Sequence, residues 1–230
     1  MDYSDVALVM ITKNEENAIQ KVILESKNSL KNLTVYVIDG STDDTKKLAS
    51  EAGAIVLDEP GGGFGPALTK ALLSPGSQFS IILTIDADDT YPVDIFPLLI
   101  QDIRNGYDIS GSNRLSIYPT KNMPFPNWLM NVLFNLIASI RTGRILKDVH
   151  SGQRAYRREI LHTFEWNSKG LAFPVDLLLW PAIFKFKIIE RNILYKDRIG
   201  DSKLQRWPSG IATIERLFYK RKRIVLRKTG

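Results

Sequence analysis

The chain has 230 residues, of which 44% are hydrophobic, and a formal net charge of +6. This length and apolar content predict one large folded domain with a sizeable core and exclude a disordered chain. The sequence has no cysteine and only two histidines, which excludes a disulfide framework, a thiol nucleophile and a metal site built on thiolate or imidazole ligands.

Short, β-rich apolar runs alternate with helical stretches through the first half of the chain. This alternation predicts an α/β fold with a mostly parallel sheet and crossover helices. The acidic residues 1–5 lack the basic and apolar regions of a secretory signal, so we expect a cytoplasmic protein. Strands are predicted at residues 6–11, 34–38, 54–57 and 80–85, and helices at 15–30, 43–52 and 66–73.

Polar residues follow the first two predicted strands. The first strand runs into Thr12, Asn14 and Glu15, and the second runs into Asp39 and Gly40. Taken alone, each group suits the cap of the next helix. In a parallel sheet, however, the carboxyl ends of the strands meet at one edge, and open α/β sheets bind ligands there. The sequence therefore leaves two interpretations, helix capping and a ligand crevice.

The fourth predicted strand ends on an acidic cluster, Asp86-Ala87-Asp88. Because acidic residues are depleted in strands, the cluster marks the point where the chain leaves the sheet and meets solvent. Two carboxylates two residues apart supply hard oxygen ligands for a divalent cation. The sequence therefore predicts a Mg²⁺ or Mn²⁺ site on Asp86 and Asp88.

A very apolar segment, residues 128–140, lies in the second half of the chain. At 1.5 Å per residue it spans roughly 20 Å as a helix, too short for the roughly 30 Å hydrocarbon core of a bilayer. We predict that it lies in a membrane interface; a buried core helix and a dimer contact are the alternatives. Its polar residues recur every four positions and form one narrow stripe, which consists of Asn127, Asn131, Asn135 and Ser139.

The positive charge is concentrated at the C-terminus. Seven basic and no acidic residues occur from Arg216 onward, so residues 1–215 carry 24 basic and 25 acidic side chains. A basic segment interleaved with apolar residues suits an anionic membrane surface, with a solvated terminus as the alternative. Nucleic-acid binding is not expected.

Six motifs span nearly the whole chain. They are ITKNE (11–15), IDGSTDDT (38–45), TIDADDTYP (84–92), GSNR (111–114), DVHSGQRAYRREIL (148–161) and DRIGDSKL (197–204). Their order and spacing resemble those of the GT-A glycosyltransferases of family 2, and within them the polyprenyl-phosphate (dolichyl-phosphate) hexose synthases. The resemblance implies a GT-A, Rossmann-like sheet flanked by helices and a metal-dependent hexosyltransferase.

The resemblance also assigns roles at the strand ends. It implies that the chain binds a nucleotide sugar, a UDP-sugar in preference to a GDP-sugar, with Asp39 accepting from the N3–H of uracil. Asp86 and Asp88 would hold Mg²⁺ or Mn²⁺ against the diphosphate, with Ala87 in the same cofactor-binding loop. The residues implied for the nucleotide are Thr12, Asn14, Glu15 and Asp39.

A basic set is implied around the acceptor phosphate and the diphosphate, since guanidinium forks match phosphate oxygens geometrically. With Asp88 it forms the predicted catalytic set. Asp148 belongs to that set as the acid or base for a hydroxyl acceptor, or else it fixes Arg154 or Arg198 through an ion pair. The basic residues are Arg114, Arg154, Arg198 and Lys203.

The chain departs from the family pattern at three positions. Ile38 replaces the first of two adjacent aspartates, Thr90 replaces a glutamine after the metal motif, and Gln153 stands where Phe is common. These changes bear on base recognition, on metal coordination, and on sugar or acceptor contacts. Many members also carry transmembrane helices after the catalytic domain; here the interfacial helix and the basic tail are expected to supply membrane contact.

We therefore predict a catalytic domain over residues 1–210, with an interfacial helix near 125–141, and a basic amphipathic tail over residues 211–230. The predicted function is inverting transfer of a hexose or N-acetylhexosamine from a nucleotide sugar to a polyprenyl or dolichyl phosphate. The protein would be peripheral on the inner face of the cell or ER membrane. Two alternatives are a soluble family 2 enzyme with a saccharide or small-molecule hydroxyl acceptor, and a non-enzymatic membrane or nucleic-acid binding module.

Overall fold

Seven strands form one mixed sheet in the computed structural model of the chain, which describes residues 1–116, 123–166, 170, 172–199 and 206–218. They are β1 (Val6–Thr12), β2 (Thr34–Asp39), β3 (Ile55–Asp58), β4 (Ile81–Thr84), β5 (Ile109–Asn113), β6 (Arg154–Arg157) and β7 (Ile188–Asn192). Their order across the sheet is β3-β2-β1-β4-β6-β5-β7. Among the described strands only β6 is antiparallel to its neighbours, β4 and β5. The predicted α/β fold with a mostly parallel sheet is confirmed.

Helices cover both faces of the sheet. Side chains alternate along β1, so Ala7 and Val9 join the core beneath α3 while Leu8 and Met10 join the core beneath α1 and α4. A strand buried on both faces needs apolar residues throughout, which explains the run VALVMIT. The helices are α1 (Ile19–Ser29), α2 (Thr45–Glu51), α3 (Phe64–Leu73), α4 (Phe96–Arg104), α5 (Phe125–Thr142), α6 (Arg158–Thr163), α7 (Phe173–Ile183) and α8 (Arg206–Phe218).

The bounds of β1 to β4 lie within one residue of the predicted ones, whereas the first helix begins later than predicted. β1 and β2 each run one residue further than predicted, so Thr12 and Asp39 are their last residues. The predicted start of the first helix at residue 15 was wrong, because α1 begins at Ile19. Asn14 has a φ of 55°, outside the helical region, and this turns residues 14 and 15 towards the loop after β2.

Helix α5 turns its polar stripe towards the protein and its apolar side outward. Asn135 is buried, and Ser139 donates to the carbonyl of Asn135 and accepts from the N–H of Leu146. The opposite face is exposed, from 38% at Leu129 to 75% at Ile140. The polar stripe, together with the buried Phe134 and Ala138, therefore holds the helix to the domain, and the apolar side chains of the opposite face point away from it. None of the helices within the described ranges is long and apolar enough to cross a membrane.

Helix α8 packs on α5 and α7 and crosses the predicted boundary between residues 210 and 211. Arg216 forms an ion pair with the buried Asp176 of α7. Arg141 of α5 donates to the carbonyls of Arg216 and Leu217. These contacts fix α8 against the domain. Residues 219–230, which hold most of the predicted basic tail, lie outside the described part.

We expect Asp102→Ala to lower the free energy of unfolding by about 2 kcal/mol, because it would leave a guanidinium without its buried counterion. Asp102 is 2% exposed and accepts from Arg191 Nε at 3.0 Å and from Ser110 Oγ at 2.7 Å. These bonds tie α4 to β5 and β7. Urea denaturation measures the change.

The matched control is Asp58→Ala, which removes the ion pair between Lys46 and a carboxylate that is 79% exposed. Such exposed pairs contribute at most about 1 kcal/mol. Equal losses of stability at the two positions would contradict the role given to the buried pair.

Candidate active site

The ends of β1 and β2 are joined through one carboxylate. Thr12 and Asp39 are register partners, and Thr12 Oγ1 donates to Asp39 Oδ1 at 2.7 Å. Ser41 Oγ donates to the same oxygen at 2.6 Å, and its N–H reaches Oδ2 at 3.3 Å. Within the described residues, Oδ2 thus accepts only the longer bond. Asp39 is held in one orientation and retains an acceptor for a ligand N–H at the sheet edge.

The loops after β1 and β2 are hydrogen-bonded to each other. The N–H of Asn14 donates to Ser41 Oγ at 2.7 Å, and Asn14 Oδ1 accepts from the N–H of Thr42 at 2.8 Å. The N–H of Glu15 donates to Thr45 Oγ1 at 2.8 Å. These bonds form one crevice wall and place Asn14 and Glu15 beside Asp39.

Asp86 lies two residues past the end of β4, against the backbone of Gly152. A Cβ at Gly152 would lie 2.4 Å from Asp86 Oδ1, so this approach requires glycine. The N–H of Gly152 donates to the hydroxyl of the fully buried Tyr91 at 2.7 Å. Burial, and after it the charge of Asp88, raise the pKa of Asp86 to about 7. The carboxylate is therefore short of positive charge.

Asp88 is buried and lies between a hydroxyl and a guanidinium. Its Oδ1 accepts from Thr90 Oγ1 at 2.6 Å, and its Oδ2 accepts from Arg198 Nη1 at 2.6 Å. Arg198 Nη2 donates to Glu15 Oε1 at 2.7 Å. The N–H of Ile199 donates to the carbonyl of Asp88 at 3.0 Å. Arg198 thus joins the β1 loop to the β4 loop across the crevice.

Arg114 and Asp148 form a buried, bidentate ion pair on the other side of Asp86. Arg114 Nε and Nη2 donate to the two carboxylate oxygens at 2.7 and 2.8 Å. Burial alone would raise the pKa of Asp148, but the Arg114 guanidinium holds it below its ordinary value. The sequence named Arg154 or Arg198 as the partner, and the structure gives Arg114 instead. Asp148 is thus an ionised counterion with both oxygens engaged.

Arg154 is 1% exposed and lies beneath this pair. Its Nη2 donates to the carbonyl of Val149 at 2.8 Å, and its Nη1 donates to the carbonyl of Pro174 at 2.8 Å. It also lines a small cavity next to Asp86. Its donors are engaged with backbone, so its role in the described geometry is to hold loops in place; contact with phosphate stays a prediction.

Asp86 and Asp88 fit a divalent cation. Mg²⁺ in nucleotide sites takes one or two carboxylates and completes its octahedron with phosphate oxygens and water. The raised pKa of Asp86 reflects an anionic charge that the described residues compensate only in part, and a cation would supply the difference. Groups of three or more acidic or histidine ligands do not occur in the described ranges. The donor set therefore suits a cation shared with a diphosphate.

Comparison with known proteins identifies the family of the chain. A family model described as Glycosyl transferase family 2 matches residues 7–164. The chain belongs to this family. It is 35% identical over 211 residues to a dolichyl-phosphate hexose transferase of Haloferax volcanii, with 91% of each chain covered. It is 26% identical over 217 residues to a polyprenol monophosphomannose synthase of Mycolicibacterium smegmatis, with 86% of this chain and 80% of the relative covered.

The fold also matches a solved structure. Glucosyl-3-phosphoglycerate synthase from Mycobacterium tuberculosis, crystallised with Mn²⁺, UDP and glucosyl-3-phosphoglycerate, superposes with a TM-score of 0.73. The match covers 92% of this chain and 79% of that chain at 22% identity. The predicted GT-A, Rossmann-like fold is thereby confirmed, and the chain is a family 2 glycosyltransferase.

The structure brings most of the predicted site residues of this glycosyltransferase to one edge of the sheet. Lys203 lies outside the described residues, and Ala87 is buried between the two carboxylates. Sequence reasoning missed Tyr91 and Glu190. A buried tyrosine seven residues after a strand has no sequence pattern that marks it as part of a site. Glu190 lies on β7, 42 residues along the chain from Asp148, whose backbone N–H it accepts.

His150 gives a pH-dependent stability, for a reason unrelated to metal binding. Its Nε2 lies 2.9 Å from Thr213 Oγ1, and its ring packs on Phe134. Burial, and after it the Arg114 charge, lower its pKa from 6.5 to about 4. As the pH falls below 6.5 the unfolded chain binds a proton that the folded chain does not, so the folded state loses stability down to about pH 4.

We expect the wild type to lose about 1–2 kcal/mol more unfolding free energy than His150→Gln between about pH 7.5 and pH 5. The range allows for the partial exposure of the ring. Glutamine keeps a polar end for Thr213 and does not titrate. Urea denaturation of both proteins at the two pH values measures the difference, and parallel stability curves would refute it.

Proposed function

We propose that this glycosyltransferase transfers a hexose or N-acetylhexosamine, with inversion, from a UDP-sugar to a polyprenyl phosphate at the cytoplasmic face of a membrane. The observation that carries the proposal is the pair of carboxylates at the end of β4 with Arg114 on one side and Arg198 on the other. Two anions, a diphosphate and an acceptor phosphate, need such a cationic surrounding. The dolichyl-phosphate hexose transferase of Haloferax volcanii supports this acceptor class.

The crevice between β1 and β2 suits the nucleoside. Asp39 Oδ2 can accept the N3–H of uracil, while Asn14 and Glu15 line the same wall. The synthase from Mycobacterium tuberculosis that shares this fold binds UDP with Mn²⁺. These observations favour uridine as the base.

Asp86 and Asp88 would hold Mg²⁺ or Mn²⁺. When bound, the cation supplies Lewis-acid stabilisation of the negative charge that develops on the leaving nucleoside diphosphate. Ala87 and Thr90 belong to the same loop, and Thr90 fixes Asp88 through two hydrogen bonds. Arg198 lies where a phosphate oxygen could replace a carboxylate as its partner.

The transfer itself needs no general base. A phosphate monoester has a second pKa of about 6 and is largely a dianion at neutral pH. One of its oxygens forms the bond to the anomeric carbon as the bond from that carbon to the diphosphate breaks, and UDP leaves with the electron pair. Asp148 is ill suited to remove a proton, because Arg114 engages both of its oxygens. Arg114 would steer the acceptor and hold it in line.

Membrane contact would come from the exposed side of α5 and the adjoining end of α8. We call this surface the docking face. Residues 219–230 follow Phe218 in the sequence, and their basic side chains would suit anionic lipid at about 1 kcal/mol each. Ile140 and Phe218 line one shallow pocket, so the two helices form a continuous surface. The docking face comprises Phe125, Leu129, Met130, Leu133, Leu136, Ile140, Ile214 and Phe218.

The first test is transfer by purified protein. Given Mn²⁺ or Mg²⁺, a panel of UDP- and GDP-sugars and a polyprenyl phosphate, we expect labelled sugar in the organic phase. Asp88→Asn should lower transfer and cation-dependent UDP-sugar binding by roughly 10²-fold or more, because it removes one of two carboxylates. Asp94→Asn, an exposed residue shortly after the same loop, should match the wild type.

Transfer to a water-soluble sugar and not to the lipid phosphate would refute the proposed acceptor. Undiminished activity of Asp88→Asn would refute the metal role.

The second test concerns the docking face. We expect the double variant Leu136→Ser, Ile140→Ser to bind vesicles containing anionic phospholipid roughly tenfold or more weakly, because each leucine-sized side chain contributes about 1.5–3 kcal/mol when buried. Leu24→Ser is the control, since Leu24 is 46% exposed on α1 and lies outside the docking face. Vesicle sedimentation measures both. Equal binding by the double variant and the wild type would exclude this surface.

A further inference from the structure

The segment that carries Asp148 is held by polar contacts from several elements. We call Lys147–Val149 the Asp148 loop. From α5, Asn135 Nδ2 donates to the carbonyl of Lys147 at 2.5 Å, and Asn135 Oδ1 accepts from the N–H of Val149 at 2.9 Å. The amide thus bridges the two ends of the loop, with Asp148 between them.

Glu190 of β7 holds the same loop from the sheet. Its Oε2 accepts from the N–H of Lys147 at 2.7 Å, and its Oε1 accepts from the N–H of Asp148 at 2.8 Å. Arg154 Nη2 donates to the carbonyls of Asp148 and Val149. Every backbone donor and acceptor of the Asp148 loop therefore has a fixed partner. The Asp148 carboxylate has little freedom to move, and neither has the Arg114 guanidinium that it binds.

The amide at position 135 is chemically specific. One backbone carbonyl and one backbone N–H face it, so the side chain must offer one donor and one acceptor. Aspartate has the same shape but offers acceptors alone, and it would oppose the carbonyl of Lys147. Asn131, one turn away on the same helix, donates only within the helix, to the carbonyl of Asn127 at 2.9 Å. Among the asparagines of the stripe, Asn135 alone therefore reaches the Asp148 loop in the described residues.

We propose that Asn135 is a positioning residue for sugar transfer, acting through the Asp148 loop on Arg114. The inference rests on the proposed function, in which Arg114 steers the acceptor phosphate. Asn135 also lies on the helix whose opposite side forms the docking face. The helix that would contact the membrane would therefore also set the position of the acceptor-binding arginine, through Asn135 and the Asp148 loop.

Asn135→Asp, Asn131→Asp and the wild type are compared in the polyprenyl-phosphate assay and in UDP binding with Mn²⁺. We expect Asn135→Asp to raise the KM for polyprenyl phosphate or lower kcat by tenfold or more, since misplacing a positioned group by about 1 Å can cost about 10²-fold. Its Kd for UDP with Mn²⁺ should stay within about twofold. Asn131→Asp should match the wild type in both measurements, because it leaves the loop contacts intact.

Glu190→Gln is the second variant, and it tests the inference if Asn135→Asp does not fold. It keeps the size of the side chain but sets an amide nitrogen against one of the two backbone N–H donors, so it should weaken transfer and spare UDP binding. Transfer within about twofold of the wild type in the folded variant would overturn the inference. Equal loss of transfer and of UDP binding would also overturn it, since that indicates a general structural role. If the wild type and Asn131→Asp do not transfer to polyprenyl phosphate, the proposed function fails and the inference fails with it.

Discussion

The rest of the site depends on the burial of negative charge at the end of β4. Asp86 and Asp88 follow the strand so closely that neither carboxylate is fully solvated, and burial, followed by the charge of Asp88, raises the pKa of Asp86 to about 7. Buried charge of one sign must be paired, protonated or bound to a cation. The guanidinium groups of Arg114 and Arg198 supply part of the compensating positive charge, one on each side. A site assembled in this way attracts a cation and a diphosphate together.

The neighbouring backbone is shaped around these carboxylates. β6 enters the sheet antiparallel to β4, so the segment before it passes directly over the strand end. At Gly152 the segment passes so close to Asp86 that a Cβ would clash with the carboxylate, and Tyr91 holds that backbone through its hydroxyl. An all-parallel neighbour would place its own carboxyl end at this edge instead. The antiparallel insertion thus brings the Asp148 loop and Arg154 to the same place as Asp86 and Asp88.

Helix α5 has two surfaces that its sequence alone does not assign to the protein or to the outside. The side with the asparagine stripe faces the protein, where Asn135 bonds the backbone of Lys147 and Val149. Its opposite side, rich in leucine and isoleucine, is exposed. Monomeric soluble domains rarely expose a continuous apolar surface. This arrangement underlies both proposals for the helix, contact with a membrane and positioning of Arg114. In an ordinary surface helix the polar side would face solvent.

The sequence by itself determined β1 to β4 and the polar residues at the ends of β1, β2 and β4, because apolar runs that end in polar residues report burial along the chain. It did not predict β5, β6 and β7. It identified the family, and it found the stripe on residues 127–139. Only the tertiary structure decided which side of that helix is buried, that Asp148 pairs with Arg114, and that Glu190 supports the loop. Periodicity defines a face but not its partner, and contacts such as Asp148 with Glu190 join residues brought together only when the sheet is assembled.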